Sequence, residues 1–430
     1  MKKTVKGLTD FIWKSPTAYH AVDNLRARLL DEGFTELSEN ENWKLKKGGN
    51  YFVTRGGSSI ISFKLPKDDY KGFYMIASHS DSPSFKIKEN PEIESAGAYV
   101  TLNVEKYGGM LCAPWFDRPL SVAGRVIVKK NSKDGAIGFD SKLVDIGRNL
   151  VMLPSLAIHM DREANDGHKY NAQKDMLPIF GDEKSKDKFM TLIAKAAGVK
   201  EKDIISHDLF LYNRVEPTVW GAADEYVSAG RLDDLECCYG SFEGFIGAEN
   251  KKNVIMHVVF DNEEVGSTTR QGAASTFLKD TLERISESFS KTKEDYLVSI
   301  ANSFMVSADN AHAVHPNYVE KADPVNRPQM NKGIVIKYNA NQKYTTDAVS
   351  GAICKMVCEK AGVPYQTFTN RSDVAGGSTL GNISGTQVAL RTVDIGMAQL
   401  AMHSPYETAG VQDVDYLIDF SKEFYSSDLQ

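Results

Sequence analysis

Five short segments concentrate histidine and carboxylate: Ser78-His79-Ser80-Asp81, Arg231-Leu232-Asp233-Asp234, Asp261-Asn262-Glu263-Glu264-Val265-Gly266-Ser267, Ser307-Ala308-Asp309-Asn310-Ala311-His312 and Ala401-Met402-His403-Ser404-Pro405. Carboxylates enter a folded interior only when paired or bound to a cation. Taken alone, the adjacent Glu263 and Glu264 suit a surface turn. Taken as a set, the segments supply the inventory of a two-metal hydrolase: a carboxylate to bridge the ions, a histidine and a further carboxylate for each, and one carboxylate left free as general base. Successive side chains leave an extended strand on opposite sides, so Glu264 is expected to face a metal while Glu263 faces the attacking water. Asp81, two residues beyond His79, falls on the same side and is expected to accept the second imidazole N–H. Mixed histidine and carboxylate ligation suits zinc, with manganese and cobalt as further candidates.

Such groups work only if secondary structure holds them, and four of the segments follow or precede apolar runs. Gly72 to Ala77 reads as a buried strand running into His79, Val254 to Phe260 as one running into Asp261, and Phe304 to Ala308 as one running into Asp309. Polar groups at the carboxyl ends of buried strands in an α/β sheet are where ligands bind. Helices are expected over Leu25–Leu30, Leu232–Phe245, Gln271–Ser288, Asp347–Ala361 and Val414–Phe424, with a further strand at Gln387–Val393 and a hairpin of Tyr51–Val53 and Ser59–Leu65 across Gly56-Gly57. Between them the texture changes. Tyr99–Glu105, Leu120–Lys129 and Phe210–Val215 read as strands, with little helix outside Lys188–Ala197. About 140 residues of this kind are far too many for a loop. The expected architecture is an α/β/α catalytic domain with a mixed sheet, residues 1–84 and 226–430, interrupted by a β-rich inserted domain, residues 85–225.

Composition narrows the function. The chain has 430 residues, 51 basic against 57 acidic side chains and a net charge of −6. That balance supplies no basic patch for nucleic acid or an anionic membrane. No apolar run approaches the roughly 18 residues of a membrane span, and Phe11-Ile12-Trp13 is too short for a signal sequence. Five cysteines without zinc-knuckle spacing read as reduced core thiols, and the protein is expected in the cytoplasm. His257, inside an apolar strand, reads as core; His315 before Pro316 reads as a turn residue.

The succession HSD, RLDD, DNEEVGS, SAD-x-AH-x-VHPNY and QLAMHSPYE resembles the aspartyl aminopeptidase family of co-catalytic zinc peptidases, over nearly the whole chain. The resemblance implies that His79 and Asp309 hold one ion, Glu264 and His403 the other, that Asp233 bridges them and that Glu263 is the general base. It assigns Asp81 to the catalytic group and His312 and Lys337 to the substrate pocket. Lys337 would otherwise read as a strand-edge lysine, and His159, in Leu156-Ala157-Ile158-His159, as a packed histidine. By the resemblance His159 reaches a neighbouring subunit's active site, in tetrahedral dodecamers built from dimers through the inserted domain. Two departures stand out: Asp234 in place of the family's usual Asn, and the loop Val374 to Thr379. Neither is expected to touch a ligand. The expected activity is removal of N-terminal Asp or Glu from peptides. The same chemistry with neutral residues such as leucine, and a non-catalytic scaffold or cargo-binding assembly, are the alternatives.

Overall fold

The structure is a computed structural model that describes residues 3–130 and 136–429. Its centre is a nine-stranded mixed sheet in the order Thr35–Leu37, Asn50–Arg55, Ser59–Lys64, Val254–Phe260, Phe73–His79, Phe304–Ala308, Arg391–Gly396, Ile334–Lys337, Tyr365–Phe368. The four strands from Val254–Phe260 to Arg391–Gly396 run parallel to one another and are flanked on each side by an antiparallel strand. The first three of these are buried at every residue, which is why they are continuous apolar runs rather than alternating ones. Helices cover both faces. On one, Cys237, Phe242 and Phe245 of helix Leu232–Ile246 pack with Leu417 and Phe420 of helix Val411–Ser426. On the other, Phe277, Leu278, Leu282 and Ile285 line helix Phe277–Ser288. The first pair of helices is in close contact: a Cβ at Gly244 would lie 2.5 Å from Ser421 Cβ.

A second sheet of six antiparallel strands, Gly138–Asp145, Leu120–Lys130, Ile204–Asn213, Ser84–Ser95, Tyr99–Tyr107 and Ile179–Asp182, has its own apolar core with Phe189 and Ile193 of helix Phe189–Ala197 packed on it. A third sheet of five short strands, including Tyr226–Ala229, Glu407–Gly410, Ala398–Leu400 and Ala311–His312, leads into the loops that carry Asp233 and His403. The α/β class with a β-rich companion is thus as the sequence indicates.

The expected hairpin forms between Asn50–Arg55 and Ser59–Lys64 across a three-residue loop, with Gly56 and Gly57 at φ +67° and +74°, left-handed backbone that glycine adopts without steric cost. Several boundaries move. The helix expected from Gln271 starts at Phe277, because the preceding residues form turns that bond back to the strand end, Asp261 N–H to the Gln271 carbonyl and Ala274 N–H to the Ser267 carbonyl. The strand expected over Gln387–Val393 occupies Arg391–Gly396, after a short helix Leu380–Ser384. The strand expected over Phe210–Val215 runs from Ile204 to Asn213. Among the described residues no helix is long and apolar enough to cross a membrane.

Candidate metal centre

Three neighbouring parallel strands end at one place. His79 is the last residue of its strand, Glu263 and Glu264 follow Phe260, and Asp309 follows Ala308. From the small sheet come the non-helical start of helix Leu232–Ile246, with Asp233, and a loop with His403. The result is two overlapping groups whose ligand atoms lie within 4.8 Å of one another: His79, Asp233, Asp234 and Asp309, and then Asp233, Glu264 and His403. Asp233 belongs to both. Its Oδ1 is 3.5 Å from His79 Nε2 and its Oδ2 is 3.4 Å from His403 Nε2, while His403 Nε2 is 3.3 Å from Glu264 Oε2.

The charge in this cluster is only partly compensated, by Lys337 beside Asp309. Burial pushes the carboxyls of Asp234 and Glu264 well above their ordinary range, that of Asp309 up to about 6 and that of Glu263 up to about 8. For Asp233 burial acts in the same direction, but the neighbouring imidazoles of His403 and His79 outweigh it and hold the carboxyl low. Asp233 Oδ1, Asp234 Oδ1 and Glu264 Oε1 are buried without a hydrogen-bond partner. Orphaned carboxylate oxygens aimed at one small space beside imidazole nitrogens fit divalent cations, which would satisfy oxygens and charge together.

The supports differ from the expected ones. Glu263 and Glu264 lie in a single turn of 3₁₀ helix, Glu263–Val265, rather than in an extended strand end. What separates their side chains is therefore the turn, entered through Asn262 at φ +61° and left through Gly266 at φ +97°. Asp81 anchors it: Oδ1 accepts the Glu263 N–H at 3.1 Å and Oδ2 the Glu264 N–H at 3.2 Å. The nearer partner of His79 Nδ1 is the Asp81 backbone carbonyl, at 3.0 Å, with the carboxylate at 3.4 Å. A carbonyl only accepts, so Nδ1 carries the proton and Nε2 is left free to face the cluster. Asp234, expected to touch no ligand, belongs to the first group, and its Oδ2 accepts the His79 backbone N–H at 3.2 Å.

Glu407 had no signal of its own in the sequence. Its carboxylate, 1% exposed, accepts the N–H of His403 at 2.8 Å and that of Asp233 at 3.0 Å, so one side chain fixes two ligand-bearing loops. Arg231, Asn262, Ala401 and His403 all have φ near +60°. Left-handed backbone at non-glycine residues costs of order 1 kcal/mol or more each, so these loops are bent against local preference to bring the ligands together.

The cluster opens into a cavity of about 190 Å³ lined by Glu263, His312, Lys337, Tyr344, Phe368, Met402 and the loop Gly377-Ser378-Thr379. Lys337 ends its strand fully inside: it is 2% exposed, donates to the Asn310 carbonyl at 3.1 Å and lies 5.3 Å from the centre of the Tyr344 ring. His159 is not brought to this cavity. It sits on an exposed turn of the six-stranded unit, beside the exposed side chains of Leu156, Ile158 and Met160. His257 is buried as expected, and the described structure records all five cysteines as free thiols.

Comparison with known proteins matches residues 11–425 to the family described as aminopeptidase I zinc metalloprotease (M18). A curated relative from Clostridium acetobutylicum, named probable M18 family aminopeptidase 2, is 47% identical over 427 residues, covering 98% of each chain. The mApe1 dodecamer of S. cerevisiae superposes with a TM-score of 0.86 at 30% identity, covering 98% of this chain and 96% of that one. An M18 aminopeptidase from Thermotoga maritima gives a TM-score of 0.84 at 25% identity, covering 99% and 96%.

Proposed function

The chain belongs to the aminopeptidase I zinc metalloprotease family (M18) and is a metalloaminopeptidase; on that premise we propose that it uses two divalent ions, most simply zinc, to release acidic residues from the free N-termini of peptides. The observation that carries the two-ion reading is Asp233, whose two carboxylate oxygens face two different histidines. In this reading His79 and Asp309 hold one ion, Glu264 and His403 the other, Asp233 bridges, and Asp234 adds charge beside the first. Bound ions supply Lewis acidity, polarising the scissile carbonyl and lowering the pKa of a water.

The protein's own groups do the rest. Glu263, on the cavity wall beside the cluster, is placed to act as the general base. It takes the proton of the attacking water and hands it to the departing amine. Asp81 keeps Glu263 in place through its backbone N–H. Lys337, the cation in the cavity wall, pairs with an acidic side chain of the substrate, and His312 contacts the peptide beside it.

The inserted domain, residues 85–225, is in this reading the dimerisation unit, and the dodecameric relative supports a tetrahedral assembly built from dimers. Leu156, Ile158 and Met160, exposed in a row around His159, suit burial against a second subunit, where His159 would reach the neighbouring site and hydrogen-bond the developing oxyanion. Free thiols fit the reducing cytoplasm.

The test is a panel of aspartyl, glutamyl and leucyl chromogenic substrates, run before and after exhaustive dialysis against chelator, with elemental analysis. Two equivalents of metal, loss of activity on their removal and recovery with zinc, manganese or cobalt are expected. An active preparation with no transition metal would sink the two-ion reading, and faster release of leucine would sink the acidic preference alone.

A further inference from the structure

The two halves of the metal centre are not supported alike. The strand Tyr99–Tyr107 of the six-stranded sheet ends in Tyr107-Gly108-Gly109-Met110-Leu111, and this segment leans on one half. The Tyr107 hydroxyl donates to Asp81 Oδ2 at 2.7 Å, the oxygen that also accepts the Glu264 N–H; the oxygen facing His79 and Glu263 is Oδ1. Asn262 Nδ2 donates to the same hydroxyl at 2.8 Å, so Tyr107 also ties down the residue that opens the turn. Gly108, at φ +75°, lies so close to Glu264 that an added Cβ would sit 3.1 Å from Glu264 Cβ. A Cβ at Gly109 would be 4.0 Å from His403 Nδ1, and the Leu111 N–H donates to the His403 carbonyl at 3.2 Å. The ring of Tyr107 is itself held edge-on against Phe210, 5.5 Å between centres, in a neighbouring part of the six-stranded sheet.

We propose that the Tyr107–Leu111 segment is the outer support of the position formed by Asp233, Glu264 and His403, so that occupancy of this position, and not of the His79–Asp309 position, depends on how the inserted domain is seated. The inference rests on the two-ion reading above. Two of that position's three ligands touch the segment directly or through Asp81, and removal of such outer contacts typically weakens metal binding by about 10- to 100-fold. Tyr107 and Gly108 are positioning residues; neither touches a reacting atom.

Zinc titration of the full-length apo-protein against a competing chromophoric chelator reads the two positions separately. Tyr107→Phe and Gly108→Ala are expected to keep one tight equivalent and weaken the other by roughly 10-fold or more, and Tyr107→Phe is expected to add nothing to the loss already caused by Glu264→Gln. Tyr212→Phe is the control, since it removes a comparable buried hydroxyl bond within the inserted domain, to Asp145 at 2.6 Å, away from the segment. It is expected to bind both equivalents like the wild type. Unchanged binding in both segment variants, equal weakening of both equivalents, or the same change in Tyr212→Phe would overturn the proposal. Because Gly108→Ala strains the backbone, the Tyr107→Phe result decides if the former fails to fold. A wild-type protein that binds only one equivalent would overturn the two-ion reading itself, an outcome distinct from the others.

Discussion

Lys337 Nζ lies 3.9 Å from Asp309 Oδ2, and both side chains are nearly closed off from solvent. Burial works against the charge of each group. The mutual attraction prevails at the lysine, which is raised above its ordinary range, while Asp309 is still pushed up to about 6. An ammonium has three donors, and the Asn310 carbonyl takes one at 3.1 Å. The cation is therefore fixed in place by the chain with donor capacity left for the cavity.

Lys337→Met is expected to lower kcat/KM for aspartyl and glutamyl substrates by on the order of 10²-fold, the lower end of what truncating one partner of a desolvated ion pair costs. Leucyl substrates should change far less, and metal content should match the wild type. Equal loss on all three substrates would assign Lys337 to supporting Asp309 rather than to selectivity.

Glu263→Gln and Glu264→Gln should part company. The first keeps both metal equivalents and loses turnover by about 10² to 10⁴-fold, the range for a missing general base. The second weakens one equivalent. Elemental analysis of the two variants after identical dialysis decides, and matching metal contents would refute the division of labour.

His159 is tested by complementation. Glu263→Gln and His159→Phe proteins, each inactive, should regain activity when mixed under subunit exchange, because some sites then combine both intact groups. Exchange demonstrated by mass-tagged subunits without recovery would confine His159 to its own chain.

His257 makes a prediction about stability. Its ring is packed 5.3 Å from Phe242 and 6.1 Å from Phe245, with Nε2 3.2 Å from the Cys238 carbonyl and 3.1 Å from Ser241 Oγ. Burial lowers its pKa from 6.5 to about 3. The unfolded chain thus binds a proton that the folded one refuses between those values. The contribution is complete above about pH 6.5 and declines as the pH falls, at up to about 1.4 kcal/mol per unit. His257→Gln should flatten that decline. The difference between variant and wild-type denaturation midpoints from pH 8 to 5 is the measure, because the other carboxylates titrate in both proteins.

Three parts of the cluster were legible in the sequence because His79, Glu263-Glu264 and Asp309 stand where buried apolar strands stop, whereas Asp233 and His403 follow no such strand and were picked out by the resemblance. Their supports were not. Asp81 was visible as a partner of the cluster, but its main task, holding the Glu263–Glu264 turn, depends on a 3₁₀ turn that a strand-end argument cannot yield. Glu407 acts through the backbone N–H groups of His403, four residues earlier, and of Asp233, 174 residues earlier, and a side chain that binds main chain leaves no side-chain pattern to read. Asp234 looked like a substitution of no consequence beside Asp233 because only the fold brings the His79 backbone against it. Strands as short as Ala311–His312 and Thr218–Trp220 hold too few residues for alternation to register.

The chain leaves the central sheet just after His79 and re-enters it only at Val254–Phe260, beyond Asp233, with His79 and Asp234 155 positions apart. At a synthesis rate of about 5–20 residues per second, roughly 8–30 s separate the appearance of the two on the ribosome. β-rich units of this topology fold in about milliseconds to seconds. The six-stranded unit therefore has time to close on itself while the strand ending in His79 waits, and Asp233 arrives after that module is complete. A cluster that needs His79, Asp233 and His403 together can be completed only near the close of synthesis, not at its start.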